Sequence, residues 1–318
     1  MLLEDVIINS SDFKTLSQEI KLSKIGRSML LICKDSDYAF EFAKFLSLAY
    51  LGNGEVSRDE NYIKLMALSH PDIKIYPIKD KLFVADSQEI ALESFVKPIF
   101  AEKKIFIIKN IDNSMEAAQN KLLKTLEEPP KDVIFILTCN NINLVLPTIR
   151  SRCQKEELSK LPTSVIESFL NNKTMAEAIA AISDGFPGKA IKLDKMKNFE
   201  EIFNLSLSLL TTLENSKQVI SYSKQILAYK DNINLIFEIL SLALEDMLAI
   251  KAGKTNLVRL KNYEVQLKDK LENYTARAMC EIQKLLDEAS RHIAYNTNIT
   301  LVIENLLLDI LEVKYICK

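Results

Sequence analysis

KKIFIIKNIDNSMEAAQNKLLKTLEEPPKDVIFILTCNNINLVLPTIRSRCQ, residues 103–154, decides the fold. Ile105 to Ile108 is a four-residue apolar run, short enough for a strand buried on both faces. Ala118, Leu122, Leu123 and Leu126 then fall at i, i+4, i+5 and i+8, one apolar stripe of a helix. Pro129-Pro130 stops that helix, because proline lacks the N–H and clashes with the preceding turn. Val133 to Leu137 is a second buried strand, and a polar link leads to Ile149-Arg150-Ser151-Arg152-Cys153. The stretch is one βαβ unit with a basic residue just beyond it.

The wording is also specific. Asn120-Lys121-Leu122-Leu123-Lys124-Thr125-Leu126-Glu127-Glu128-Pro129-Pro130, followed by Ser151-Arg152-Cys153, resembles the bacterial AAA+ clamp-loader family. The likeness runs over nearly the whole chain, strongest at 103–154 and weakest at 50–100. It implies an α/β AAA+ core, a parallel sheet with flanking helices, over residues 1–160. A small helical lid over 161–198 and an all-α collar domain over 199–318 would follow.

Composition agrees with a folded chain of that size. At 318 residues, roughly two or three domains of ~100–200 residues are expected. Hydrophobic residues at 48% and charged residues at 26% are ordinary globular values. A net charge of −2 gives no bulk support for autonomous nucleic-acid binding. The five cysteines (Cys33, Cys139, Cys153, Cys280, Cys317) are scattered without a CxxC pair, and there are two histidines, so no metal site is expected. Glu4 and Asp5 near the start speak against a signal peptide. Glu238, Glu245 and Asp246 interrupt the apolar run Ile233 to Ile250, which suits a buried helix better than a membrane span. A cytoplasmic protein is the expectation.

From the start, Phe13, Leu16 and Ile20 fall at helical spacing, with Ser10 or Ser11 as N-cap. Met29 to Cys33 reads as a strand and Ala39 to Tyr50 as a helix. A nucleotide-binding member of the family would place its phosphate loop, G-x-x-x-x-G-K-[ST], between them. This chain has Cys33-Lys34-Asp35-Ser36-Asp37-Tyr38-Ala39, with no glycine and two carboxylates that would repel phosphate. Many relatives carry a four-cysteine zinc module after this helix, but no cysteine lies between Cys33 and Cys139. His70-Pro71-Asp72 precedes a strand at Ile73 to Tyr76, and His70 reads as a polar turn residue. Ile90 to Phe100 reads as a further helix.

An active family ATPase would end the Ile105 strand in Asp-Glu, the first acid placing Mg²⁺ and the second polarising the attacking water. The matching positions hold Lys109 and Asn110. A protonated lysine ligates no cation and asparagine is no base. Asp112 lies two to three residues further on, and a strand alternates its faces, so it is a poor replacement. The degenerate positions are therefore Lys34, Asp35, Lys109 and Asn110, and no cofactor is expected. Thr138-Cys139-Asn140, where relatives place a phosphate sensor, reads as a structural turn.

Ser151-Arg152-Cys153 is intact. In the family this arginine completes the ATP site of the neighbouring subunit, and a planar guanidinium suits the spread charge of a phosphoryl transition state. The plain alternative is that Arg152 pairs with an acid such as Glu156 or Glu157. Asp184-Gly185-Phe186-Pro187-Gly188-Lys189-Ala190 resembles the lid motif, with glycines permitting left-handed backbone and Lys189 standing where a lid arginine would be. Short helices are expected at Ser164 to Leu170 and Thr174 to Ser183. Beyond Phe199 the chain reads as helices at 201–213, 217–229, 233–252, 258–266 with continuation to 273, 276–293 and 300–311. Leu242–Leu248, the Asn296-x-Asn298 pair and Leu301–Leu308 resemble the collar domain.

The resemblance implies a non-hydrolysing subunit of a hetero-oligomeric clamp loader in DNA replication. Its partners would be gamma/tau-type ATPase subunits and a delta subunit, with the sliding clamp and primer-template DNA reached through the complex. Two other readings stay open: a divergent clamp-loader ATPase, and an AAA+-shaped replication or repair scaffold without a role in ATP chemistry.

Overall fold

A computed structural model describes residues 2–78, 81–295 and 297–316. The chain separates into two compact units, one of residues up to Phe169 with Gly185–Lys189, the other of Leu170–Asp184 with the residues from Ala190 onward.

In the first unit the elements alternate: α1 (Leu3–Asn9), α2 (Ser11–Lys21), β1 (Ser28–Ile32), α3 (Ser36–Leu51), α4 (Glu60–Met66), β2 (Ile73–Tyr76), α5 (Val84–Glu93), β3 (Lys104–Ile108), α6 (Glu116–Glu127), β4 (Val133–Cys139), α7 (Pro147–Arg150), β5 (Gln154–Glu157) and α8 (Thr163–Phe169). The described strands form one parallel sheet in the order β2-β3-β4-β1-β5. Every residue of β3 and β4 is buried, and the register Ile105↔Ile134, Phe106↔Phe135 sets like residues side by side. Alternate residues then divide between two cores, as strand geometry requires. Ile105, Ile107, Ile134 and Ile136 meet Phe42, Phe45 and Leu46 of α3. Phe106, Ile108, Phe135 and Leu137 meet Ala118, Leu122 and Leu126 of α6 on the opposite face. The apolar stripe read from the sequence is thus the inner face of α6, and Ser10 caps α2 by accepting from Phe13 N–H.

Three elements of this unit differ from the sequence expectation. Helix α5 spans Val84–Glu93, earlier than Ile90–Phe100. Pro98 cannot extend it, and the buried Asp72 carboxylate draws the N–H groups of Ile99, Phe100 and Ala101 to itself at 2.7, 2.6 and 2.7 Å. Helix α4 lies in a stretch that carries no clear periodicity; Asp59 caps it through Tyr62 N–H at 3.2 Å. Strand β5, Gln-Lys-Glu-Glu, has no apolar alternation because it is an edge strand with β1 as its only neighbour in the sheet order.

The second unit is helical: α9 (Ala176–Ser183), the later part of α10 (Pro187–Asp194), α11 (Phe199–Thr212), α12 (Ser216–Leu227), α13 (Ile233–Lys251), α14 (Glu264–Lys268), α15 (Ala276–Ala294) and α16 (Ile299–Ile316). Met279, Ile282, Leu286 and Ala289 form the buried stripe of α15, and Ile303, Leu306, Leu307 and Ile310 that of α16. The helix expected over 258–273 is instead a chain of 3₁₀ turns around the five-residue α14. Buried Asp246 on α13 accepts from Arg259 N–H at 3.1 Å and Leu260 N–H at 2.8 Å, which pulls that backbone out of helical pairing. Asn296 and Cys317 lie outside the described residues. No described helix is long and apolar enough to cross a membrane.

Candidate functional site

Two places in the first unit carry the residues singled out by sequence, and they are built differently. The first lies at the carboxyl ends of β1 and β4, the position where open parallel sheets bind ligands. A cleft of about 510 Å³ opens there, lined among others by Cys33, Lys34, Asn140, Asn141, Lys160 and Phe186. Asp35, next in sequence to Lys34, is the N-cap of α3, accepting from Tyr38 N–H at 3.1 Å. Its other carboxylate oxygen accepts from the N–H groups of Gly188 at 2.7 Å and Lys189 at 3.2 Å. The N-terminus of a helix is a natural phosphate seat, and here an internal carboxylate already occupies it. Gly185 has φ +84, as expected of a left-handed position, but Gly188 does not. Gly188 is required instead by proximity, since a Cβ on it would run into the Asp35 carboxylate.

The strand end beside it is also engaged, although Asn110 Oδ1 and Asp112 Oδ1 are buried without a partner. Lys109 donates its N–H to Tyr76 O at 2.7 Å, and its ammonium lies 4.8 Å from the Phe40 ring centroid. Asn110 takes a left-handed backbone, φ 49 and ψ 52, with its N–H on Thr138 Oγ1 at 3.0 Å. Asp112 accepts from Asn140 N–H at 3.1 Å and Asn141 N–H at 2.9 Å. Thr138 and Asn140 thus hold a turn. Burial pushes the Cys33 thiol up to about 11, so it is no nucleophile near neutral pH. His70 accepts from Asp72 N–H at 3.1 Å and its other ring nitrogen faces Asn61 Oδ1 at 3.1 Å, a polar turn residue whose protonation burial disfavours. Among the described residues no group of His, Cys, Asp or Glu side chains is placed to hold a metal ion.

The second place is the turn after α7. Ile149 and Cys153 are buried anchors, and burial lifts the Cys153 thiol to about 12. Between them Ser151 is exposed, and Arg152 keeps 29% of its side chain accessible. Its Nη1 donates to Thr148 O at 3.0 Å and its Nη2 to Glu127 Oε2 at 2.9 Å. The acid is the last residue of α6, not Glu156 or Glu157, which lie on β5. The Arg152 Nε is buried without a partner.

Sequence reading passed over two residues of this arrangement. Glu127 was visible only as part of a motif, because nothing in the spacing pairs it with a residue 25 positions away. Gln119 is 2% exposed. Its side chain accepts from Leu146 N–H at 2.9 Å and donates to Leu144 O at 3.2 Å, so it ties α6 to the segment that enters α7. A polar residue beside Ala118, at the start of the α6 stripe, was the one available signal.

Comparison with known proteins places these features in context. The family model described as "DNA polymerase III, delta subunit" matches residues 8–162. The chain is 24% identical over 318 residues to the DNA polymerase III subunit delta' of Bacillus subtilis, covering 94% of this chain and 95% of that one. It is 27% identical over 264 residues to the DNA polymerase III subunit gamma of Buchnera aphidicola, covering 73% and 72%. The crystal structure of a DNA polymerase III gamma subunit-related protein from Thermotoga maritima aligns with a TM-score of 0.52 at 18% identity, over 96% of this chain and all of that one. That alignment supports the fold read from the sequence, a parallel sheet with flanking helices followed by a helical region.

Proposed function

We propose that this chain, which belongs to the clamp-loader subunits of bacterial DNA polymerase III, acts as the delta-prime subunit: a stator that hydrolyses no ATP and lends Arg152 to a neighbouring ATPase subunit. The observation that carries the reading is the contrast in Arg152 itself. Its guanidinium is held through both Nη groups with 29% of the side chain still accessible, whereas at the nucleotide corner Asp35 and Asp112 are taken up by backbone N–H groups of the chain itself. One hydrogen on each Nη of Arg152 is left for an acceptor from outside the chain. A phosphoryl group with charge spread over three oxygens is such an acceptor.

The working arrangement is a core over 1–160, a lid over 161–198 and a collar over 199–318 that joins gamma/tau-type and delta subunits in the cytoplasm. Sliding clamp and primer-template DNA are reached through that complex. Lys34, Asp35, Lys109 and Asn110 keep the shape of a nucleotide corner without its chemistry. Ser151 and Cys153 frame the arginine, the first at the surface and the second as its buried anchor.

The test is reconstitution with gamma/tau-type and delta subunits and measurement of clamp- and DNA-stimulated ATP turnover. Arg152→Ala is expected to leave assembly intact and to slow turnover at the adjoining site by as much as ~10³-fold, the lower end for an arginine finger. Unchanged turnover overturns the trans-arginine reading. The similarity to gamma subunits keeps one rival in view, a divergent ATPase. Tight Mg²⁺-dependent ATP binding by the isolated chain would favour it.

A further inference from the structure

We propose that Glu127 is the positioning residue of Arg152, holding the guanidinium ordered before a neighbour arrives; the inference rests on the trans-arginine reading above. Three independent features point to it. Glu127 is the last residue of α6, where the negative end of the helix dipole disfavours a carboxylate. Helix stability is therefore no reason for an acid there, and its partner in the structure is Arg152 at 2.9 Å.

The second feature is the way the two supports divide the guanidinium. Glu127 takes Nη2 and Thr148 O takes Nη1, while Nε is enclosed by the protein without a partner. Two fixed points on a planar fork remove its freedom to rotate. An arginine left free on an exposed turn would lose that freedom on reaching a phosphate, and pre-ordering removes the loss.

The third feature is the frame behind the pair. Buried Gln119 joins α6 to Leu144 and Leu146, and Arg27 holds the end of the same helix by donating to Pro129 O at 2.9 Å and Pro130 O at 3.2 Å. The carboxylate and the arginine are thus carried on elements cross-tied at both ends of α6. A surface ion pair without such a frame is seldom worth keeping.

The experiment uses the reconstituted loader with the wild-type chain, Glu127→Ala, Glu127→Gln, Arg152→Ala and the Glu127→Ala/Arg152→Ala double variant. Glu127→Ala is expected to lower kcat on the order of tenfold, the scale for removing an orienting partner, with KM for ATP unchanged. Glu127→Gln, which still accepts a hydrogen bond, should recover part of the loss. In the Arg152→Ala background, Glu127→Ala should cost nothing further. Equal losses in both backgrounds, or a normal kcat for Glu127→Ala beside a slow Arg152→Ala, overturn the positioning role and leave the trans-arginine reading standing. A normal kcat for Arg152→Ala overturns both. Thermal melting of each variant separates these results from unfolding.

Discussion

The corner at Asp35 and the turn at Arg152 sit on one parallel sheet and have opposite fates. At the corner, the two carboxylates and the strand-end lysine are engaged by the chain itself. Asp35 holds three backbone N–H groups, Lys109 lies over an aromatic ring, and Asp112 holds two more N–H groups. At the turn, Arg152 is anchored through two nitrogens and left incomplete. The difference teaches how a helix N-terminus and a strand end are satisfied from within: both need partners, and here Asp35 and Asp112 meet backbone N–H groups of the same chain.

If that contrast is real, the corner should now be a stability element. Asp35→Ala removes the cap of α3 and strands the N–H groups of Gly188 and Lys189. We expect a loss of roughly 2–4 kcal/mol, summing a lost cap and unmet buried donors. Urea unfolding followed by circular dichroism measures it. A loss below about 0.5 kcal/mol, the ordinary range for a surface change, would show the corner to be idle. Gly188→Ala tests the same contact from the other side. Its Cβ would overlap the Asp35 carboxylate, and overpacking of this kind costs about 1–3 kcal/mol. Because the two variants disturb one contact, their combination should fall short of the sum.

Much of this fold was legible because burial on both faces of a sheet forces short apolar runs. Ile105–Ile108 and Val133–Leu137 are strands for that reason, and the α6 stripe follows from helical period. Legibility failed where long-range contacts override local pattern. Asp72 unwinds the stretch past Glu93 by collecting three N–H groups, and Asp246 does the same near Arg259. Strand β5 is polar at an edge, so it carries no burial signal. The site divides along the same line. Missing glycines and acids were readable one residue at a time. That Asp35 would turn into a cap bonded to Gly188, 153 positions away, or that Glu127 would meet Arg152, was not.

The smallest expected effect is the most discriminating one. Arg152→Ala should change folding stability by no more than about 0.5 kcal/mol, since the ion pair it breaks is partly exposed on both sides and such pairs contribute little. The buried, unpartnered Nε–H makes the loss smaller still, because an unmet polar group costs free energy in the folded state. Side by side, then, Asp35→Ala should unfold the chain at lower urea while Arg152→Ala melts like the parent. In the reconstituted loader the order should reverse at moderate temperature: the complex carrying folded Asp35→Ala turns over ATP nearly normally, and the complex carrying Arg152→Ala does not. If Arg152→Ala also proves strongly destabilising, the arginine is a structural bond like those of the corner, and the contrast between the two places disappears.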